Sequence, residues 1–194
     1  EAVDSNGLLP LRALPQAYPA AVHHRRFMQR VLREHVVAQP APAPSLRDLP
    51  VAPVLPRALR SRWLDATATL LDSPSQVGRL PIDRSVGPVS MVGGHRAGAA
   101  MLSTFIEHKL SGYGDAHNHP NEDGSSRLSG HLHFGHVSAH QVFDAVMRHE
   151  RWSLGRLGAK ATGLREGWWG VSSGAEAFLD PLVVWRELGY AMAF

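Results

Sequence analysis

Apolar positions recur at helical spacing in five stretches of this chain, and no run of more than about five residues alternates cleanly, so helices are predicted and strands are scarce. Val22, Met28, Val31, Leu32 and Val36 mark a helix over residues 20–37, with His23, His24, Arg25, Arg26, Arg30 and Arg33 as its basic face. Leu59, Trp63, Thr67 and Leu70 form the stripe of a second helix over 57–71. A third, over 95–113, carries Leu102, Phe105, Ile106, Leu110 and Tyr113, and Gly93-Gly94 lets the chain turn sharply into it. Ser138 with Gln141, and Ser173 with Glu176, fit the capping box and open two more helices. The last of these contains Pro181, so it either kinks there or begins at Asp180 with Pro181 in its first turn. Residues 2–4 and 7–9 could supply the edge of a strand.

Proline and glycine then divide the chain. Twelve of the 14 prolines lie in residues 1–88, and 16 of the 18 glycines lie from Gly87 onward. The first part therefore reads as helices joined by stiff linkers, the clearest at 39–44 and another at 72–88. Long loops are expected at 114–135 and 152–172, a length often associated with function in helical domains. The 194 residues, 44% hydrophobic, suffice for one core. With no cysteine, thiol nucleophiles, disulfides and cysteine metal sites are excluded. No apolar run approaches the roughly 20 residues of a membrane helix, and no leader pattern opens the chain. Both ends read as cut, since Met is missing at the start and the chain stops on an apolar stretch. Net charge is +3 and almost all the positive charge is arginine, which suits forked contacts to phosphate or carboxylate and follows equally from a coding bias toward Arg, Ala and Gly.

Three features can carry chemistry. Six of the 12 histidines lie between His117 and His140, a density seen in metal sites and in hydrogen-bonded or solvated clusters. His136 and His140 could share a helix face, but no H-E-x-x-H glutamate accompanies them, and no metal site is assigned. The loop 123–130 offers Ser125, Ser126, Ser129 and Arg127 within a few residues, a composition that can wrap a phosphate or form a plain surface turn. Trp152, Trp168, Trp169 and Trp185 provide rings for stacking on bases or flavins, or for core packing.

Taken in order, the motifs resemble the DNA photolyase and cryptochrome family. The likeness runs from Gly93-Gly94 through Leu102, Phe105, Leu110 and Tyr113, then Asn118, Pro120 and the stretch D-G-S-S-R-L-S at 123–129. It continues with L-H-F-G-H-V-S at 132–138, A-F-L-D at 177–180 and W-R-E-L at 185–188. The H-F-G form and the W-R-E-L ending are most similar to class II-like bacterial photolyase relatives. Residues 3–10 resemble the exit from the family's α/β antenna domain.

The resemblance implies a mainly α fold: part of the helical FAD-binding domain, preceded by an extended interdomain linker. It divides the chain into 1–19 (end of the antenna domain and linker), 20–92 (helical, proline-rich connector) and 93–194 (N-terminal half of the FAD-binding domain). It implies FAD as cofactor, with Tyr113 as an aromatic contact and Ser125, Ser126, Arg127, Leu128 and Ser129 as the phosphate loop. Trp185 would pack on a flipped pyrimidine dimer, with Arg186 beside it near flavin and DNA. The implied activity is light-dependent splitting of cyclobutane dimers in damaged DNA by a cytoplasmic monomer, with no membrane partner and no acid–base triad. The chain alone is expected to be inactive, because the family's later helices lie past Phe194. Two departures stand out. Gly130-His131 replaces Pro-Tyr and is expected to loosen the turn after the phosphate loop, and Pro181 replaces a Glu or Gln that contacts the dimer. The alternatives are a cryptochrome-like or degenerate relative without repair activity, and a non-enzymatic helical DNA-binding module gripping phosphates with the first helix.

Overall fold

The structure is a computed structural model that describes residues 6–37, 45, 47–51, 53–63, 81–83, 85–87 and 89–193. Those residues contain helices and turns and no strand. The chain divides into two compact units, one of residues 1–42 with 93–194 and the other of residues 43–92. The linker at 39–44, residues 2–4, and the far half of the second helix with Thr67 and Leu70 lie outside the described residues.

The second unit holds one short described helix, α2 (Arg57–Arg62), with no buried residue. The first unit carries the core. Its elements are α1 (Ala21–His35), α3 (His95–His108), α4 (Tyr113–Ala116), α5 (Ser129–His133), α6 (Ala139–His149), α7 (Ser173–Leu179) and α8 (Arg186–Ala193). Gly94, at φ 93°, makes the sharp entry into α3. A 3₁₀ turn at Leu110–Gly112 separates α3 from α4, so the helix expected over 95–113 is interrupted at Lys109. Ser138 caps α6 by accepting the Gln141 N–H at 3.0 Å.

Four differences from the sequence reading have local causes. First, α1 is not basic on one side throughout. His24 stands one turn before Met28 and two before Leu32, so the helical period carries it into the core with them, and all three are fully buried. Arg25 turns inward as well, to an ion pair with Asp180.

Second, the cap of α7 is Ser172, not Ser173. Its hydroxyl accepts the Ala175 N–H at 3.3 Å and donates to Glu150 at 2.6 Å. Glu176 does not reach back to the cap. Its carboxylate takes the N–H groups of Gly167 at 2.8 Å and Trp169 at 3.1 Å, tying down the loop before the helix.

Third, the helix does not restart at Asp180. It runs on through a π-helical stretch, Asp180–Trp185, into α8. Proline brings no N–H to the ladder and crowds the carbonyl four residues back, and the wider turn accommodates both. Fourth, Leu8 and Leu9 are not in a strand. They are buried, and both donate their N–H to Glu187.

The 152–172 loop is a packed wall on α1. Arg25 and Arg26 donate to the carbonyls of Gly163 and Thr162, while Gln29 exchanges hydrogen bonds with Leu164 and Gly163. Leu102, Phe105, Val142, Val146, Trp169, Phe178 and Leu179 fill the centre. No helix among the described residues is long and apolar enough to cross a membrane.

Candidate functional site

Phe178 of α7 lies at the centre of an aromatic group that also contains Phe105 of α3 and Tyr113 at the head of α4. The rings of Phe105 and Phe178 are 4.5 Å apart, and Tyr113 meets both edge-on. His117, one turn along from Tyr113, stacks on its ring at 4.5 Å and engages its carbonyl through Nδ1 at 2.7 Å. Tyr113 is thereby fixed on two sides. Burial pushes its phenol pKa up, so it remains a neutral hydrogen-bonding group.

Tyr113 forms one wall of a cleft of about 340 Å³. Ser126, Ser129 and His133 line it from the 123–133 segment, and Pro181, Leu182, Arg186 and Tyr190 from the last helical run. Arg186 and Tyr190 lie one turn apart, with the guanidinium 5.2 Å from the ring centroid. No acidic side chain is among the lining residues. Hydroxyls and a guanidinium against aromatic and aliphatic walls make a receptor for an anionic group attached to a planar one.

The residues singled out in sequence divide at this cleft. Tyr113, Ser126, Ser129 and Arg186 are brought together. Ser125 is exposed and not among the lining residues. Leu128 is 1% exposed and belongs to the core. Arg127 has a left-handed backbone, φ 55°, and its Nε donates to Asp123 at 3.0 Å. Asp123 also pairs with Lys109 at 2.8 Å. The Lys109 hydrogen bond and the Arg127 charge hold the Asp123 carboxyl below its ordinary range. Trp185 is not among the lining residues and is 56% exposed. Its N–H goes to Asp180 at 3.0 Å.

Sequence reasoning missed Leu132, His133, Phe178, Leu182 and Tyr190 as lining residues. The i, i+4 spacing of Leu182, Arg186 and Tyr190 was the available signal. The histidines do not converge on a metal-holding group among the described residues. His136 precedes α6, so it does not share a helix face with His140. His131 is buried inside α5 with its Nδ1 3.1 Å from that of His136. Gly130 and His131 therefore continue a helical turn rather than loosening it.

Comparison with known proteins places a relationship to photolyases over part of the chain. Seventy-one residues are 41% identical to the deoxyribodipyrimidine photo-lyase of Potorous tridactylus, covering 36% of this chain and 13% of that protein. Sixty-nine residues are 38% identical to the enzyme of the same name from Streptomyces griseus, covering 36% of this chain and 14% of that protein. The matched region is thus about a seventh of the relatives' length. No family model matches.

Proposed function

We propose that this chain is part of a photolyase-related flavoprotein of DNA repair and that the cleft beside Tyr113 receives FAD. One observation carries the reading: the fold gathers Tyr113, Ser126, Ser129 and Arg186, separated by up to 73 positions, around one acid-free cleft. The donor set fits a diphosphate. Two hydroxyls and a guanidinium donate, and no carboxylate opposes the charge. At about 340 Å³ the cleft is at the small end of ligand sites and takes one portion of a dinucleotide.

When bound, FAD supplies light-driven electron transfer to a cyclobutane pyrimidine dimer. The protein's own residues would hold and orient. Ser126 and Ser129 donate to phosphate oxygens, Arg186 neutralises them, and Tyr113 offers a neutral aromatic wall. The exposed ring of Trp185 offers a face to a nucleotide unstacked from damaged DNA. Photolysis of this kind needs no general base, and no carboxylate is among the residues that line the cleft.

A second reading, a flavin-binding relative that does not repair dimers, draws on Pro181. That residue lines the cleft and offers no polar side-chain atom where photolyases present Glu or Gln.

Equilibrium titration of the chain with FAD, followed by flavin fluorescence, tests the proposal. Saturable binding that Arg186→Ala weakens about tenfold supports it. Flavin fluorescence unchanged at every FAD concentration would overturn it.

A further inference from the structure

Trp185 is 56% exposed, while Trp168 and Trp169 are 5% and 3% exposed. An exposed indole ordinarily gives its N–H to water. Here it donates to Oδ2 of Asp180 at 3.0 Å, and Asp180 is itself only 7% exposed. The same carboxylate is gripped from α1 by Arg25, whose Nε donates to Oδ1 at 2.9 Å and whose second terminal nitrogen donates to Oδ2 at 3.0 Å. The remaining terminal nitrogen of Arg25 donates to the carbonyl of Gly163 at 2.9 Å. Arg25 is thus fixed by two independent segments, Asp180 by Arg25, and the indole by Asp180.

Helix geometry makes this arrangement depend on the π turn. In a regular α-helix, residue i+5 sits about 140° around the axis from residue i. The i to i+5 hydrogen bonding of a π turn places it nearly over residue i. Asp180 and Trp185 are five apart and are the first and last residues of the π stretch. Pro181, by removing one N–H from the ladder, favours the wider turn.

We infer that Asp180, anchored by Arg25, is a positioning residue that fixes the exposed Trp185 ring as a platform for a planar base. The inference rests on the reading above that Trp185 meets an unstacked nucleotide, and it adds how the ring is held. A ring fixed before binding loses less entropy on stacking, so the anchor acts on affinity through Trp185 and not by touching the ligand.

Two measurements on the whole chain test it: the ¹⁵N–¹H signal of the Trp185 indole, identified by its loss in Trp185→Phe, and binding of a single-stranded oligodeoxynucleotide carrying one 2-aminopurine. Asp180→Ala is expected to move the indole signal to that of a water-bonded N–H. It should weaken oligonucleotide binding about fivefold, and Trp185→Ala about tenfold. The double variant should bind no worse than Trp185→Ala alone, because the anchor has nothing left to position. An unmoved indole signal in Asp180→Ala, or losses that add in the double variant, would overturn the positioning role. Should Asp180→Ala fail to fold, Asp180→Asn serves instead: a displaced indole signal supports the role, and an unmoved one with unchanged affinity counts against it. Unchanged binding by Trp185→Ala would sink the stacking reading, while the indole signal would still decide whether Asp180 fixes the ring.

Discussion

Glu187 accepts the backbone N–H of Leu8 at 2.6 Å, across 179 positions of sequence. The same oxygen takes the N–H of Leu9 at 3.1 Å, and the Glu187 side chain is 2% exposed. One carboxylate therefore takes two buried backbone donors and pins their segment to α8, where Arg186 Nε also donates to the Asn6 carbonyl. Glu187→Ala should destabilise the chain by about 2–4 kcal/mol, the cost of leaving two buried donors unmet. Thermal unfolding followed by circular dichroism measures it. Glu187→Gln keeps an oxygen acceptor and should lose less.

His24 is fully buried, and neither ring nitrogen has a hydrogen-bond partner among the described residues. Burial lowers its pKa from the ordinary 6.5, and the neighbouring Arg25 charge lowers it further. The folded state therefore prefers the neutral ring. Stability from this site is whole above 6.5, declines as pH falls from that value to the folded pKa, and levels off below it. His24→Phe, which retains a ring against Tyr18, should flatten the fall in melting temperature between about pH 7 and 5. Parallel acid limbs for the two proteins would count against it.

Gly174 sits in the first turn of α7 where a Cβ would run into the carbonyl oxygens of Leu110 and Ser111. Alanine in a helix is worth about 1 kcal/mol over glycine. Overpacking against backbone that cannot swing aside costs about 1–3 kcal/mol or more. The clash should win, so Gly174→Ala should lower stability despite its higher propensity. Because the 3₁₀ turn it strikes leads into Tyr113, FAD binding should weaken as well. Chemical denaturation and flavin titration of the same variant measure both.

Much of the frame was legible because apolar spacing reports directly on buried faces. Met28, Leu32 and Val36 marked α1, and Ser138 marked the start of α6. What escaped depended on partners distant in sequence. Nothing near His24 says that it is buried, or that Arg25 is spoken for by Asp180, 155 positions away. Ser172 and Ser173 are equally good caps by type, and only the reach of Glu150 to Ser172 separates them. In the cleft, Tyr113, Ser126 and Ser129 were legible as a motif, whereas Leu182 and Tyr190 reach it by the register that the π turn sets.

Within the 123–129 loop, the structure assigns unequal roles to neighbours. Ser126 lines the cleft, while Arg127 is turned back on Asp123 at the surface. Ser126→Ala should weaken FAD binding about threefold to tenfold, the range for the net contribution of one hydrogen bond. Arg127→Ala should change it less than about twofold, since exposed ion pairs contribute little. Flavin titration at moderate salt separates them. Equal losses would mean that Arg127 leaves Asp123 when the cofactor binds.

Pro181 gives the sharpest test of what the site recognises. It lines the cleft, and its ring presents no hydrogen-bonding atom. Pro181→Glu restores a backbone N–H and places an acceptor where photolyases have one. If a Glu here contacts the dimer, affinity for an oligonucleotide with one thymine dimer should rise about threefold to tenfold, and affinity for its undamaged counterpart should not. The added negative charge works against DNA phosphates, so any gain confined to the dimer is specific. Restored helical hydrogen bonding also favours a regular turn, which would carry Trp185 away from Asp180. The two effects separate in one preparation: dimer preference reads the new carboxylate, and the Trp185 indole signal reads the turn. Equal discrimination by the Pro181 and Glu forms would favour the relative without dimer repair.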